Sequence, residues 1–203
     1  MPNITRGERM GGLLAYLAGP GKANEHVEPH LVTGDASVMT WHDDAVLDAA
    51  TAADIARQLE QPRAVFDVSV AGGAVWHCSL SLRSEEGVLS DEKWGEIARD
   101  FIEAMGFSSI EADAGLAAEP APCRWVAIRH GLSSAGNDHV HLVVSLVRID
   151  GSKANVWNDR PYAQWVCAQL EQVHGLAPVL RRRSTMTPAG KSVTSQPTEG
   201  VAS

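Results

Sequence analysis

The fold is decided by three consecutive segments, RWVAIRH (124–130), GLSSAGND (131–138) and HVHLVVSLVRI (139–149). The first and third are rich in valine, isoleucine and leucine, and in the third Val140, Leu142 and Val144 recur at every second position. The middle segment holds the glycine, asparagine and aspartate residues that favour turns. The stretch therefore predicts two antiparallel strands joined as a hairpin.

A further strand is predicted for AVWHCSLSLR (74–83), because apolar residues alternate there with His77, Ser79 and Ser81. Four other segments are predicted to be helical: 11–19, which ends at a GPGK stop signal; 44–59; a helix opened by Ser90-Asp91-Glu92 and ended by Gly106; and a helix capped by Asn158-Asp159 that ends at Gly175. Residues 24–43 and 108–123 are predicted to be loops. This mixture of helices and hairpin-connected strands predicts an α+β fold with an antiparallel sheet.

The chain has 203 residues, which is enough for one domain with a hydrophobic core. Residues 184–203 contain mainly small and polar residues that cannot build a packed core. We therefore expect one domain over residues 1–183, followed by a disordered tail or linker over residues 184–203.

The net charge is −8, from 17 Lys and Arg against 25 Asp and Glu. This argues against a protein that coats DNA by charge alone, because basic residues supply much of the affinity for phosphates. Between residues 122 and 183, however, the balance turns basic. No apolar run approaches the ~20 residues that span a bilayer, and the polar N-terminal segment lacks a signal-peptide core. We expect a cytoplasmic protein without membrane insertion.

His130, His139 and His141, which we call the histidine cluster, form the clearest candidate site. Residues i and i+2 of a strand face the same side, so the last two histidines project together, about 6–7 Å apart. A hairpin can bring the first one alongside. Three neutral imidazoles suit Zn, Mn, Ni or another borderline divalent ion and leave coordination positions open for water or substrate. The expected cofactor is a divalent metal ion (Mn, Mg, Zn or Ni). The alternative is a solvent-facing strand with nothing bound.

Other metal proteins that contain an HxH pattern fit less well. A cupin has a glutamate a few residues after the pattern, where Ser145 stands in this chain, and an amidohydrolase barrel needs more residues and an HxH near its start. Asn137 and Asp138 are candidates to orient an imidazole from outside the cluster. A turn role is the alternative for both.

A phosphodiester held by a metal ion needs a nucleophile, and tyrosine is one candidate. The chain has two tyrosines, Tyr16 in GLLAYLAGPG and Tyr162 in the first turn of the last predicted helix. A phenol has a pKa near ~10, so it needs help from the metal-bound phosphate or a base. At either position the alternative is a core aromatic residue whose hydroxyl reaches the surface.

The order of these motifs resembles that of the relaxase (mobilisation nuclease) family of the HUH endonuclease superfamily. AYL at 15–17 is similar to the family's tyrosine helix, and HCSLSL at 77–82, followed by SDEKWGEIARDF, is similar to its middle strand and acidic helix. The histidine cluster matches the downstream metal motif. The resemblance spans roughly residues 5–175.

The resemblance implies a central antiparallel sheet flanked by helices, in the two-layer HUH endonuclease arrangement. It also implies nicking and transesterification at a plasmid or integrative-element transfer origin, with Tyr16 linked covalently to the 5′ phosphate and the histidine cluster holding the metal. Ser79 or Ser81 would contact DNA near the cut. The implied partners are single-stranded or hairpin DNA at the origin, together with relaxosome and coupling proteins.

Three basic residues, Arg129, Arg148 and Lys153, are the further expected DNA contacts. The chain departs from the family pattern where many members have an aspartate just after the first metal histidine, because Gly131-Leu132 stand there. Some branches of the family use a histidine nucleophile, so His26 and His30 are alternatives to the tyrosine.

Three other functions remain open from the sequence. A rolling-circle replication initiator uses the same chemistry, although initiators more often place the histidines before the tyrosine, whereas Tyr16 precedes them here. A non-catalytic, metal-dependent DNA-binding accessory protein and a small metallohydrolase acting on a soluble phosphoester are the others.

Overall fold

The computed structural model describes residues 2–20, 28–42, 46–108, 120–133 and 136–178. Its centre is a five-stranded antiparallel sheet in the order β1-β3-β5-β4-β2. The strands are β1 (Asn3–Gly7), β2 (His30–Gly34), β3 (Val75–Ser81), β4 (Cys123–Arg129) and β5 (His139–Arg148). The helices are α1 (Met10–Ala18), α2 (Ala36–His42), α3 (Ala49–Val65), α4 (Asp91–Ala104) and α5 (Asp159–Val173), with a 3₁₀ turn at Ser84–Glu86.

Helices cover both faces of the sheet, and the alternation along β5 decides which residues go to which side. Val140, Leu142 and Val144 pack in one core with α4 and α5. Val143 points the other way and packs in a second core with α1, α2 and α3. We call these sides the α4 face and the histidine face, because His139 and His141 lie at i−4 and i−2 from Val143 and share its side.

Local signals explain where the long helices begin. The Asp48 carboxylate accepts a hydrogen bond from the Thr51 backbone N–H at 2.7 Å and caps α3. The Ser90 hydroxyl oxygen accepts from the Lys93 N–H at 3.2 Å and caps α4. Each cap satisfies a backbone donor that the first turn of a helix leaves unpaired. The α+β fold with a central antiparallel sheet is therefore confirmed, and so is the predicted β4–β5 hairpin.

The structure corrects two segments. Residues 24–43, predicted as a loop, contain β2 and α2 within their described part. The helix predicted over 44–59 instead occupies Ala49–Val65 and includes Pro62 in its last turns. The predicted tail at 184–203 and most of the predicted loop at 108–123 lie outside the described residues. Within the described part of the chain, no helix is long and apolar enough to cross a membrane.

Candidate metal centre

The histidine cluster converges on the histidine face at one end of the sheet. His139 and His141 belong to β5, and His130 follows β4 directly. One ligand atom from each ring lies within 4.8 Å of the others, and the ring centroids are 4.6 to 5.0 Å apart. His130 and His139 are buried, with exposed fractions of 2% and 8%, and His141 is half-buried. The three rings could therefore hold one metal ion.

An ion pair on the opposite face fixes the two ends of the hairpin that carries the cluster. Arg129 precedes His130 and Asp138 precedes His139. The Arg129 guanidinium donates to both Asp138 carboxylate oxygens, with the two Nη2–O distances at 3.0 Å. Because consecutive residues of an extended chain point to opposite sides, holding this pair on the α4 face directs the two histidines to the other side.

Asp138 is fully buried, and its charge is compensated by several donors. Besides Arg129, the Leu89 backbone N–H donates to its carboxylate at 2.9 Å and the Trp94 indole N–H at 2.8 Å. All of these donors lie on the α4 face. Asp138 thus stabilises the hairpin. Orienting an imidazole was one of its two expected roles, but none of the hydrogen bonds described for its carboxylate goes to a histidine.

The orientation of His139 is set by its own turn. Its Nδ1 lies 3.2 Å from the backbone carbonyl oxygen of Asn137. A carbonyl only accepts hydrogen bonds, so Nδ1 carries the hydrogen in this contact. In the neutral ring, Nε2 then has the lone pair that a metal requires. This tautomer fits the chemistry of a divalent ion held by imidazoles.

His77 is a fourth histidine at the site, and the sequence did not single it out. Its Nε2 lies 2.8 Å from Nδ1 of His141, and its Nδ1 lies 3.2 Å from the Thr5 hydroxyl oxygen. Burial lowers the pKa of His77 to about 4, so the ring is neutral near pH 7. The missed signal was the register of β3 against β5, which places the polar face of β3 beside the cluster.

The same register brings the two serines to the site. Ser79 pairs with His141 and Ser81 pairs with His139, and directly paired residues project to the same side of a sheet. Both serines are half-buried. Their hydroxyls therefore lie on the histidine face, next to the cluster.

The two tyrosines lie on opposite sides of the sheet. Helix α1 packs on the histidine face through Met10, Leu14 and Leu17, and Tyr16 on that helix is 43% exposed. Tyr162 lies on α5 and packs against the core of the α4 face, where its hydroxyl donates to the Ala104 carbonyl at 3.0 Å. Of the two, Tyr16 alone shares a face with the histidine cluster.

A family model of relaxases, described as MobA/VirD2-like, nuclease domain, matches residues 40–176, about two thirds of the chain. The chain belongs to the relaxase family. The match includes the whole histidine cluster and both serines, whereas Tyr16 lies before its first residue. No curated protein sequence matches the chain significantly. Relaxases are DNA-nicking enzymes of conjugative mobilisation, and the fold described above is consistent with their nuclease domain.

The alternative histidine nucleophiles of this relaxase are placed differently from Tyr16. His30 pairs with Arg129 across β2 and β4 and therefore lies on the α4 face. Its Nε2 is 3.2 Å from the Asp91 carboxylate, and its Nδ1 is 2.7 Å from the Glu28 carbonyl. His30 thus points away from the histidine cluster. His26 lies outside the described residues.

The three basic residues expected to contact DNA do not join the relaxase's histidine cluster. Arg129 serves the ion pair with Asp138 and has a side chain only 12% exposed. The buried Arg148 donates to the carbonyls of Ala121 at 2.6 Å and Gly106 at 3.0 Å. It ends β5, about 30 Å along the strand from His139. Lys153 forms an isolated β-bridge with Val147, close to the same end of β5 as Arg148.

Asp91 completes the polar network on the α4 face of the relaxase. It forms an ion pair with Arg129 and a hydrogen bond with His30, and its side chain is 51% exposed. Partial burial acts to raise the pKa of Asp91, but hydrogen bonds from Arg129 and His30 outweigh it and leave that pKa below its ordinary value. The carboxylate is therefore charged near pH 7.

Proposed function

We propose that this relaxase cuts one DNA strand at the transfer origin of a plasmid or integrative element, with Tyr16 as the nucleophile. The observation that carries the proposal is the convergence of the histidine cluster on the sheet face covered by α1. An open three-histidine site suits the polarisation of a phosphodiester. The shared face puts a phenol-bearing helix on the same side as that site.

The histidine cluster would hold a divalent ion, which supplies positive charge beside the scissile phosphate. The Tyr16 oxygen attacks the phosphorus, and its proton passes to solvent. The bond from phosphorus to the 3′ oxygen breaks, and that oxygen takes up a proton from solvent and leaves as a 3′ hydroxyl. The 5′ phosphate stays on the protein as a phosphotyrosine, so the bond energy is kept for rejoining.

The serines of β3 are the proposed DNA contacts. The hydroxyls of Ser79 and Ser81 lie beside the cluster and can donate hydrogen bonds to phosphate oxygens near the cut. Lys153 at the far end of β5 is kept as a more distant proposed contact with the backbone. Arg129 and Arg148 have structural partners instead, so we propose that they support the fold rather than the DNA.

The position of α1 supports the assignment of Tyr16. Gly7 pairs with Val75 at the end of β1, and α1 begins only three residues later at Met10. The helix therefore starts near that end of the sheet, and its buried residues Met10, Leu14 and Leu17 belong to the same core cluster as Leu31 and Ile128 of the strands that lead to the histidine cluster. We propose that Tyr16, in the last turns of α1, reaches a phosphate placed at the histidine cluster.

The wider setting follows from the family. We propose that the domain spans residues 1–183, that residues 184–203 form a tail or linker, and that the protein acts in the cytoplasm. Single-stranded or hairpin origin DNA would be its substrate, within a relaxosome that a coupling protein delivers for transfer.

The test is a covalent adduct assay with Mn²⁺ and single-stranded oligonucleotides drawn from DNA next to the gene. Wild-type protein should yield an adduct that survives a denaturing gel, Tyr16→Phe should yield none, and Tyr162→Phe should behave as wild type. An adduct that persists in Tyr16→Phe would refute the nucleophile assignment. Metal-dependent DNA binding without any adduct in the wild type would favour a non-catalytic accessory protein.

A further inference from the structure

We propose that His77 is a positioning residue for the metal centre, which holds His141 in the ligand orientation through a side-chain hydrogen bond and is itself held by Thr5. The proposal rests on the proposed function only in that the histidine cluster binds a metal ion. It adds a residue from β3 and one from β1 to a site whose ligands come from β4 and β5.

The geometry of three adjacent strands supports this role. Thr5 pairs with His77 across β1 and β3, and His77 pairs with Val143 across β3 and β5. His141 is two residues before Val143, so it is the diagonal neighbour of His77 on the same face. The two rings are 5.1 Å apart with planes at 22°, and the Nε2–Nδ1 distance is 2.8 Å.

If His141 binds the metal through Nε2, the hydrogen bonds that link His141, His77 and Thr5 can run in only one direction. A neutral imidazole carries one N–H and one acceptor nitrogen. If Nε2 of His141 binds the ion, its Nδ1 carries the hydrogen and donates to Nε2 of His77. The Nδ1–H of His77 then donates to the Thr5 hydroxyl oxygen, 3.2 Å away.

The reverse direction is incompatible with a ligand. If Thr5 donated to Nδ1 of His77, the Nε2–H of His77 would donate to Nδ1 of His141. His141 would then carry its hydrogen on Nε2 and present no lone pair to an ion. His77 therefore has the role for His141 that the Asn137 carbonyl has for His139, and partners of this kind fix the tautomer and orientation of metal-binding histidines.

The experiment measures metal binding by calorimetric titration with MnCl₂ and with ZnCl₂, without DNA. His77→Phe keeps a ring but removes both nitrogens, and it should raise the dissociation constant about 10- to 100-fold. His77→Gln can place an amide oxygen as acceptor near the former Nε2 and should restore most of the affinity. Thr5→Val should produce a smaller rise.

The matched control is His174→Phe. His174 is also well buried and bonded, with Nε2 2.8 Å from Asp100, but it follows α5, a helix of the α4 face. Its variant should bind metal as the wild type does. Thermal unfolding of each metal-free variant checks that it folds. If His77→Phe does not fold, the comparison of His77→Gln and Thr5→Val with the wild type carries the test.

A second readout separates a positioning role from a general packing role. Long-range ¹H–¹⁵N spectra of the Zn²⁺-loaded wild type should show hydrogen on Nδ1 of both His141 and His77. Wild-type affinity in His77→Phe, or zinc bound directly by His77, would overturn the proposal. If the wild type binds no metal at all, the metal centre itself fails, which is a different result from normal binding in His77→Phe.

Discussion

The two faces of the sheet treat neighbouring residues of the same hairpin in opposite ways. On the α4 face, the charges of Arg129 and Asp138 are satisfied by each other and by Leu89 and Trp94. On the histidine face, the residues next in sequence are imidazoles whose ring atoms converge on one point. The charged side therefore stabilises the hairpin, whereas the neutral side forms the candidate site.

This difference explains why net charge is a poor guide to the candidate metal centre of this relaxase. Of the basic residues expected to contact DNA, Arg129 and Arg148 have protein partners, and Arg148 is buried about 30 Å along β5 from His139. A site that relies on a bound ion needs lone-pair donors such as neutral imidazoles, which cationic side chains cannot supply.

The largest expected effect is on metal affinity, and it appears when a histidine of the cluster is replaced but not when a histidine of the α4 face is replaced. His139→Ala removes a proposed ligand and should lower the metal affinity by more than the about 10- to 100-fold typical of an orienting partner. His30→Ala changes a histidine of the α4 face and should bind metal as the wild type does. Titration of both with MnCl₂ gives the comparison, and equal losses in the two variants would contradict the two-face account.

The next effect is on stability and concerns the buried ion pair. Asp138→Asn removes the buried charged partner of Arg129 and leaves it only the more exposed Asp91, which should cost about 3–5 kcal/mol of unfolding free energy. Asp91→Asn removes the more exposed partner of the same arginine and should cost about 0–1 kcal/mol. Urea unfolding in metal-free buffer measures both, and similar costs for the two would show that burial does not separate them.

The smallest effect is the pH dependence of the Asp91 contribution. Its pKa is held below the ordinary value of 3.8, so the stabilisation is fully present above that value and is lost as the pH falls through the lower, folded-state pKa. The difference in unfolding free energy between wild type and Asp91→Asn should shrink as the pH falls below about 4. A difference that grows as the pH falls below about 4 would contradict this sign.

The strands whose side chains are buried on both faces of the sheet could be predicted from the sequence. In β3, β4 and β5 the alternation of side chains follows directly from a sheet with a core on each face. β2 and α2 could not be predicted, because β2 buries only Leu31 and Thr33 and the seven-residue α2 buries only Val38. Segments this short contain too few apolar positions for a period to be visible.

The histidine cluster was predictable because its spacing is local to one hairpin. His77 was not, since its role depends on which residue of β5 lies beside it, and strand register is a tertiary property. Because Arg129 and His130 are adjacent in the sequence, their placement on opposite faces of the sheet could be predicted. The partners of Arg129, which are Asp91 and Asp138, could be identified only once α4 was seen to pack against the hairpin.

The most direct test of the central claim is to map the residue that carries DNA after the nicking reaction. Wild-type protein is incubated with Mn²⁺ and origin oligonucleotide, digested with protease and nuclease, and analysed by mass spectrometry. The account predicts a nucleotide phosphate on Tyr16, in the peptide that contains GLLAYLAG. A modification on Tyr162, His26 or His30 in place of Tyr16 would contradict it.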